Sequence, residues 1–448
     1  MTQIAHLGRS RIAKVITDAA DSDKDFEQAA ATLDAVLLVV TLDAEQAATA
    51  AGQAAVLTMV TASMKCFGKA VLVCDDDAPL KRRLDLGSTL LEVVRAVGGK
   101  VEQSIPPDAT HVVTIGQRDV DNAFAQCWWS GWNAGVLPPW DDERCGNSDN
   151  PLAGVFAGGL AVREVFANAI GRRRSVNHRV ATSLWTPWQR PDGGDTPPSK
   201  LALPGKLWFV GLGHLGQGFL WSLAFLPVSG HAILQDDQTV GEENVATGLV
   251  TRRSDFEIKK QKTRVAARWL EGAGWKTSLI ERRNHGDLQL TPDDPPVILT
   301  SIDEPNARIA IAKAGQEFLI DAGVGHGAID FEIGQIRVVP KGVDPETLWS
   351  RPARTKNVDA MLQKPAYREH ARDHDNCGTF SLAEASVAVP FVGATVGALT
   401  IAQLLRLAAL KSTAQIIQIE LGMPEATSAG ILNPTPTAGF GGIEFSFA

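Results

Sequence analysis

Cysteine is scarce in this sequence, and no two cysteines have metal-binding spacing. Five of the 448 residues are cysteine, an odd number. They are Cys66, Cys74, Cys127, Cys145 and Cys377, and no two of them form a Cys-x-x-Cys pattern. The sequence therefore predicts neither a disulfide framework nor a zinc ribbon.

Basic segments are also lacking. The chain carries 43 lysines and arginines against 51 aspartates and glutamates, which gives a formal net charge of -8. A run of three arginines at residues 172–174 is interpreted as a solvated helix end. An acidic chain without a basic arm is not expected to bind nucleic acid.

Apolar runs that would suggest a targeting segment or a membrane span are few. Residues 1–18 have no apolar core, so we expect no signal peptide and a cytoplasmic location. Residues 387–405 are long and apolar, but they contain Pro390, Gly393 and Gln403, and no partner span accompanies them. This pattern favours a buried core helix and no membrane association.

The composition is that of a folded chain with more than one domain. Hydrophobic residues make up 44% and charged residues 21%, which is typical of globular proteins. The length exceeds the roughly 100–200 residues of a usual single domain. Within residues 1–180, strand and helix candidates alternate as in α/β domains, at residues 35–40, 44–63, 69–74, 88–97 and 111–115.

A glycine-rich loop organises the second half. An apolar run at residues 207–210 precedes Gly211, Gly213 and Gly216, and a helical apolar pattern follows. Such a loop allows a tight turn, a close approach of backbone to phosphate, and packing of helix on strand. Asp236 ends the next predicted strand, where a carboxylate can bind ribose hydroxyls.

Further polar residues follow in an order that suggests magnesium-ATP chemistry. Asn244 precedes Lys262, which lies at the head of a predicted helix. Asp303 follows a third strand, and Arg308 comes five residues later at the start of a helix. A carboxylate at this edge of an open sheet can hold a metal, while cations stabilise phosphate charge.

These residues resemble, in order and spacing, the ThiF/MoeB superfamily of ubiquitin-activating adenylyltransferases. The match covers residues 203–410, and the segments at 321–325, 377–378 and 387–394 look like the bacterial branch. The resemblance implies that Gly211, Gly213 and Gly216 approach ATP, that Asp236 binds ribose, that Lys262 and Asn244 contact phosphates, and that Asp303 ligates Mg²⁺. For Arg308 it leaves open a phosphate contact or a brace for the aspartate or the helix.

The sequence departs from the family in three places. Many members read Asn-Leu-x-Arg where this chain has Asn244 followed by Val-Ala-Thr, so Arg252 or Arg253 would have to supply the arginine. Gln238 replaces the second aspartate of a paired motif. The cysteines that bind a structural zinc in many members are missing, and no structural zinc is expected.

A charged, weakly periodic stretch at residues 341–376 corresponds to the crossover loop of the family. Cys377 follows it, where members use a cysteine to accept the acyl group as a thioester or persulfide. The alternative for Cys377 is a structural thiol, which is also how we interpret the four cysteines of the first half.

An internal repeat connects the two halves. Residues 154–170 share a small-residue, helix-period pattern with residues 392–405. We predict an α/β fold of two tandem Rossmann-like, ThiF-type adenylation domains that form a pseudodimer. Residues 1–180 would be a degenerate, inactive copy, 181–202 a linker, and 203–448 the active domain.

The resemblance implies activation of a ubiquitin-like protein. Its C-terminal carboxylate would be adenylated with ATP and Mg²⁺, and the acyl group would pass to Cys377 and then to a conjugating enzyme. Association of two chains is left open, and the bacterial branch suggests a role in antiviral defence. The alternatives are a sulfur-carrier protein adenylyltransferase, a nicotinamide-dependent oxidoreductase and a non-catalytic scaffold.

Overall fold

The computed structural model describes residues 8–117, 120–146, 148–172, 177–190, 196–284, 286–349, 358–373, 376–410, 413–430 and 442–447. For residues 373, 376, 377 and 410 it describes the backbone alone.

The first half contains a seven-stranded sheet in the order β5-β2-β1-β6-β7-β8-β9. Its first five strands are parallel, and β8 and β9 are antiparallel to their neighbours. The strands are β1 (Leu38–Leu42), β2 (Ala70–Val73), β5 (Lys100–Glu102), β6 (His111–Ile115), β7 (Ala125–Ser130), β8 (Asn133–Leu137) and β9 (Val180–Ser183), and a separate hairpin comprises β3 (Pro79–Leu84) and β4 (Gly87–Thr89).

Six helices accompany this sheet. They are α1 (Ser10–Thr17), α2 (Phe26–Asp34), α3 (Ala44–Ala47), α4 (Ala50–Phe67), α5 (Leu90–Ala96) and α6 (Pro151–Ala169). The single helix predicted at residues 44–63 is interrupted after α3, because Thr49 is extended and caps α4 by accepting a hydrogen bond from the Gly52 N–H.

The second half contains an eight-stranded sheet in the order β13-β12-β11-β14-β15-β16-β17-β18. Its first five strands are parallel, and the last three are antiparallel to their neighbours. The strands are β11 (Lys206–Val210), β12 (His231–Gln235), β13 (Lys276–Ile280), β14 (Val297–Thr300), β15 (Phe318–Val324), β16 (Ile333–Pro340), β17 (Ile416–Glu420) and β18 (Ser428–Gly430).

The remaining elements complete this half. Its helices are α7 (His214–Ala224), α8 (Glu242–Thr247), α9 (Arg253–Glu257), α10 (Lys262–Gly272), α11 (Pro305–Ala312), α12 (Val358–Leu362), α13 (Pro365–Asp373), α14 (Asn376–Glu384) and α15 (Pro390–Leu410), with short 3₁₀ turns at Pro345–Thr347 and Pro424–Ala426. The strands β10 (Leu201–Pro204) and β19 (Gly442–Phe445) pair with each other, so the C-terminal segment closes back on the chain between the halves.

The two sheets have one topology, which confirms the predicted tandem architecture. Seven strands correspond one to one, from the parallel edge strand to the antiparallel strands, and only β18 is additional. The long helix α6 connects β8 to β9, and α15 is the last helix between β16 and β17. The repeat seen in the sequence therefore reflects a duplicated fold. The first sheet ends at Ser183, three residues into the segment predicted as a linker.

Small residues let the helices within each half pack closely. A Cβ on Gly158 would lie 2.6 Å from the Ala55 carbonyl oxygen, and a Cβ on Gly218 would lie 2.0 Å from the Gly393 carbonyl oxygen. Across the halves, the Trp221 indole N–H donates to Thr58 Oγ1 at 2.9 Å. Two helices, Pro151–Ala169 and Pro390–Ala409, are long and apolar enough to cross a membrane, and 89% and 94% of their apolar windows are buried inside the protein.

The predicted crossover loop is more ordered than the sequence indicated. Helices α12 and α13 lie within residues 341–376, so the stretch predicted as a loop is partly helical where it is described. Tyr367 is fully buried and packs edge-on against Phe26 of α2 with a ring separation of 5.4 Å. The apolar residues of these helices cluster with one another, with α14 and with Phe26 of α2.

Candidate functional site

A cleft of about 750 Å³ lies at the carboxyl ends of the parallel strands in the second half. Six of the predicted site residues line it, namely Gly211, Gly213, Asp236, Asn244, Lys262 and Asp303. Ligands bind at this edge of open α/β sheets because the helix N-termini converge there.

The three glycines of the loop have different structural roles. Gly211 has a φ of +84°, and a Cβ there would lie 2.7 Å from Ile302 Cγ2. A Cβ on Gly216 would lie 2.2 Å from the Gly211 carbonyl oxygen, so this glycine lets α7 approach the loop but does not line the cleft. A Cβ on Gly213 would meet nothing within 4 Å, so this glycine leaves open space at the N-terminus of α7. That end of α7 has no side-chain cap.

Asp236 holds the loop in place from the end of β12. Its Oδ2 accepts the Leu212 N–H at 2.7 Å, and its Oδ1 accepts the Gln238 N–H at 2.9 Å. Because each carboxylate oxygen has two acceptor positions, both oxygens can still accept a ribose hydroxyl. Asp236 thus makes a structural contact and retains acceptor positions, and its ribose contact stays a prediction.

Lys262 is the first residue of α10 and is only 8% exposed. Its ammonium donates to Gln238 Oε1 at 2.6 Å. Gln238, which replaces the second aspartate of the family's paired motif, therefore binds Lys262 through a neutral amide. No carboxylate of the described residues forms an ion pair with Lys262, so its charge is available to a phosphate.

Asn244, Asp303 and Arg308 have different roles in the geometry. Asn244 Oδ1 accepts the Gly241 N–H at 2.9 Å and fixes the first turn of α8. Asp303 is exposed on the wall of the cleft. Arg308 Nε donates to the Ile302 carbonyl at 2.6 Å and lies 3.4 Å from Asp321 Oδ1. Of the two roles left open for Arg308, this placement is that of a brace, and Arg308 does not line the cleft.

Asp321 lies beneath the cleft wall that carries Asp303 and contacts Arg308. The residue is fully buried on β15, and burial raises the pKa of its carboxyl group, while the Arg308 guanidinium and the Thr300 hydroxyl lower it. The Thr300 hydroxyl donates to Asp321 Oδ1 at 2.8 Å.

Arg11, which the sequence analysis missed, reaches the cleft from the first half. It is the second residue of α1 and lines the same cleft as Asp303 and Glu243. Its Nε donates to the Ser386 carbonyl at 2.7 Å. Burial lowers the pKa of this guanidinium, and the carboxylates of Asp303 and Glu243 raise it. The apolar spacing of residues 12, 15 and 16 could have predicted the helix, but not the cleft that it enters.

Arg252 and Arg253, the predicted substitutes for the family arginine, lie elsewhere. Arg252 forms an ion pair with Asp85 of the first half at 2.7 Å, and Arg253 pairs with Glu242 at 3.2 Å. Neither lines the cleft. The prediction that Arg252 serves the catalytic site does not agree with this geometry. Asp85 and Glu242 pair with the guanidinium groups of Arg252 and Arg253 outside the cleft.

His214 begins α7 at the base of the cleft. Its Nε2 lies 2.8 Å from the Val389 carbonyl oxygen. The pKa of this imidazole is lowered to about 4, mainly by burial and also by the Arg11 charge, while this hydrogen bond and Asp303 act in the opposite direction. His214 is therefore neutral at physiological pH and donates to the carbonyl.

The cysteines fall into two groups. Cys377 is the second residue of α14, and its side chain lies outside the described residues. In the first half, Cys66, Cys74 and Cys127 are buried, whereas Cys145 is partly buried. Burial raises the pKa of the Cys66 and Cys127 thiols, as expected for inert thiols.

Comparison with known proteins identifies the family. The model of the BilD N-terminal domain matches residues 37–184, and the model of the BilD C-terminal domain matches residues 203–410. The chain is 30% identical over 415 residues to the bacterial E1-like protein BilD of Collimonas sp. (strain OK412), across 90% of this chain and 88% of that protein. The chain belongs to the BilD family. The N-terminal match spans the first sheet, and the C-terminal match spans the second sheet up to β16, before β17 and β18.

Solved structures with some likeness include Escherichia coli MccB and its complex with SeMet MccA. The first is 18% identical with a TM-score of 0.37, and the alignment spans 53% of this chain and 65% of MccB, just under two thirds of it. The second is 17% identical with a TM-score of 0.33, over 53% of this chain and 66% of that one. These low scores add nothing to the assignment to the BilD family.

Proposed function

We propose that this BilD-family chain activates a ubiquitin-like protein by adenylating its C-terminal carboxylate with ATP. The observation that supports this proposal most is the convergence on one cleft of the glycine loop, Lys262 and Asp303 from the second half and Arg11 from the first. Phosphates need backbone N–H groups and cations, and this cleft offers both.

The uncapped N-terminus of α7 would receive the phosphates beside Gly213, where the backbone is open. Lys262 would contact them from α10, and Asp236 would accept the ribose hydroxyls. Arg11 would neutralise charge on the departing pyrophosphate. We assign this role to Arg11 rather than Arg252, since only Arg11 lines the cleft.

The residues of the cleft fit a magnesium ion. Mg²⁺ is usually held by one or two carboxylates together with phosphate oxygens and water, so a protein cage of three ligands is not needed. Asp303 is an exposed carboxylate on the cleft wall and would be the protein ligand. The ion, when bound, would supply positive charge that offsets the negative charge of the phosphates.

In the proposed first step, a carboxylate oxygen of the substrate bonds to the α-phosphorus of ATP. The bond from that phosphorus to the bridging oxygen breaks, and pyrophosphate leaves with the electron pair. In the second step, the Cys377 thiolate attacks the acyl carbon, AMP leaves, and a thioester remains after the thiol proton has passed to solvent. Cys377 is the second residue of α14.

The first half would not bind nucleotide. The N–H groups of Ala50 and Ala51 at the start of α4 both donate to Asp149 Oδ1, the second at 3.1 Å. The next amide, that of Gly52, donates to Thr49 Oγ1 at 2.9 Å. A carboxylate of the chain thus occupies the helix N-terminus that corresponds to the open end of α7, which supports one active and one inactive half.

Pyrophosphate exchange tests the proposal directly. The purified chain, mixed with ATP, Mg²⁺ and ubiquitin-like proteins ending in glycine, should incorporate labelled pyrophosphate into ATP. Asp303→Asn should abolish the exchange, whereas Asp121→Asn, an exposed control in the first half, should not. Cys377→Ala should retain exchange but lose the thioester. Absence of exchange with every carrier, together with normal nucleotide binding, would contradict the proposal in favour of a scaffold.

Arg11 provides the second test. Arg11→Ala should lower the exchange rate by about a hundredfold, since a preorganised charge at the reacting phosphates typically contributes this much. Arg83→Ala removes an exposed arginine of the first half and should leave the rate unchanged. Arg252→Ala should also leave exchange intact, and a loss equal to that of Arg11→Ala would reverse our assignment.

A further inference from the structure

A second cavity, of about 380 Å³, lies between the two halves; we call it the interdomain cavity. Its walls are the ends of α4 and α5 from the first half and residues 245–253 from the second, with Gly8, Arg9 and Trp269 completing it. None of its lining residues also lines the nucleotide cleft. It is therefore a separate site, and nothing argued below depends on the proposed function.

All charged residues that line the interdomain cavity are basic. They are Arg9, Lys65, Arg252 and Arg253. Three of them form ion pairs: Arg9 with Asp34 at 2.6 Å, Arg252 with Asp85 at 2.7 Å, and Arg253 with Glu242 at 3.2 Å. None of these acids lines the cavity. In a chain with a net charge of -8, a purely basic lining is unexpected and marks a place for an anion.

Lys65 is the cation without an acidic partner. Its ammonium donates to the carbonyl oxygens of Val245 at 2.6 Å and Thr251 at 3.0 Å, both in the opposite half. An ammonium has three N–H donors, and the third has no acceptor among the described residues. No carboxylate in the described part of the chain forms an ion pair with it. Burial lowers the pKa of Lys65 to about 8, so the group is still largely charged at neutral pH.

The rest of the cavity is mostly apolar. Met64, Leu86, Val97, Leu249 and Trp269 contribute side chains to its wall. Leu249 and Trp269 are only 3% and 1% exposed, so the accessible apolar surface comes from Met64, Leu86 and Val97, which are partly exposed. The cavity therefore offers a basic region and an apolar wall within one volume, and that volume lies within the range of about 300–1,000 Å³ typical of ligand pockets.

We propose that the interdomain cavity binds a small amphipathic anion. Its carboxylate or phosphate head would accept hydrogen bonds from the Lys65 ammonium and the Arg252 guanidinium. Its apolar body would lie against Met64, Leu86 and Val97. Charge-assisted hydrogen bonds in a partly buried site fix the head, and burial of the body adds affinity.

Calorimetric titration of the full chain with octanoate and octyl phosphate tests this site. One of the two anions should bind saturably at one equivalent per chain, and the tighter of them identifies the head group. The neutral 1-octanol should bind at least about tenfold more weakly, because the loss of a charge-assisted hydrogen bond commonly changes affinity by this factor or more. Equal affinity for 1-octanol would overturn the proposal.

Two variants and one control locate the binding. Lys65→Met removes the charge at similar volume and should weaken binding of the preferred anion about tenfold or more. Ala96→Trp places a bulky ring at an exposed position of the cavity wall, leaves every charge in place, and should block binding. Lys69→Met removes an exposed lysine outside the cavity and should bind like the wild type. Saturable binding that survives both Lys65→Met and Ala96→Trp, or no binding of either anion, would refute the site.

Discussion

At the residue scale, His214 shows how the cleft sets the charge of a titratable group. It begins α7, contacts the Val389 carbonyl oxygen, and lies within the electrostatic influence of Arg11 and Asp303. Burial is the largest cause of its lowered pKa, and the positive charge of Arg11 acts in the same direction. A protonated His214 would add a cation beside Arg11 without a close acidic partner. His214 is therefore neutral in the native state at neutral pH.

This pKa predicts a pH-dependent stability. An unfolded histidine binds a proton near pH 6.5, whereas His214 in the folded chain does so only near pH 4. Between these values the unfolded state binds more protons, so the free energy of unfolding should rise with pH from about 4 to 6.5 and then level off. This single group would contribute up to about 3 kcal/mol.

Urea unfolding of the wild type and His214→Gln at pH 5 and pH 7.5 measures this contribution. Glutamine can still donate to the Val389 carbonyl but cannot titrate. The wild type should lose more stability than the variant on acidification. Parallel losses in the two proteins would mean that His214 is not buried as described.

At the element scale, α1 connects the cleft to α13 and to α14, the helix that carries Cys377. Arg11 lines the cleft, and one turn later the buried Lys14 donates to Tyr367 Oη at 2.8 Å and to the Leu382 carbonyl at 2.6 Å. Asp18 accepts the Tyr367 hydroxyl at 2.8 Å. These bonds join α1 to α13 and α14, so the position of Arg11 depends on them.

Lys14→Met should consequently impair exchange, although Lys14 does not line the cleft. If Lys14 acts only by positioning Arg11, the double variant Arg11→Ala/Lys14→Met should be no slower than Arg11→Ala alone, because effects through one contact are not additive. Lys24→Met, at an exposed position, serves as the control. Additive losses in the double variant would show that Lys14 affects exchange by another route.

Close helix packing gives a second prediction at this scale. Gly218→Ala would place a Cβ 2.0 Å from the Gly393 carbonyl oxygen, so α7 and α15 would have to separate. Overpacking of this kind costs about 1–3 kcal/mol of unfolding free energy. Gly205→Ala adds the same methyl group where nothing lies within 4 Å. Thermal denaturation of both variants should show a lowered midpoint for Gly218→Ala alone.

Site residues that belong to a local sequence motif could be predicted from sequence, whereas those brought to the cleft by tertiary contacts could not. The glycine loop and Asp236 are local, since strand, loop and helix are consecutive, and both line or shape the cleft. Arg11 precedes the rest of the cleft by about two hundred residues and has no motif around it. Arg252 was preferred because it is near Asn244 in sequence, but its ion pair with Asp85 is a tertiary contact that spacing does not encode.

At the scale of the whole molecule, the duplication lets one chain provide both sides of the cleft. The glycine loop comes from the second half, and Arg11 comes from the first. The buried Arg163 of α6 donates to Glu332 at 2.8 and 2.9 Å and fixes the halves together. A second chain is not required to complete the cleft, so we expect the 47.8 kDa chain to be active as a monomer in sedimentation and exchange measurements at matched concentrations.

The same duplication predicts one nucleotide per chain rather than two. In the second half, the N-terminus of α7 has no side-chain cap, whereas in the first half Asp149 and Thr49 accept the first amides of α4. A phosphate at α4 would have to displace a carboxylate that is part of the fold. Calorimetric titration with a non-hydrolysable ATP analogue and Mg²⁺ should therefore saturate at one equivalent. Gly213→Trp, which fills the open space at α7, should abolish binding, while Asp149→Asn should leave the stoichiometry at one. A second equivalent in the wild type would show that the Asp149 contact does not exclude nucleotide.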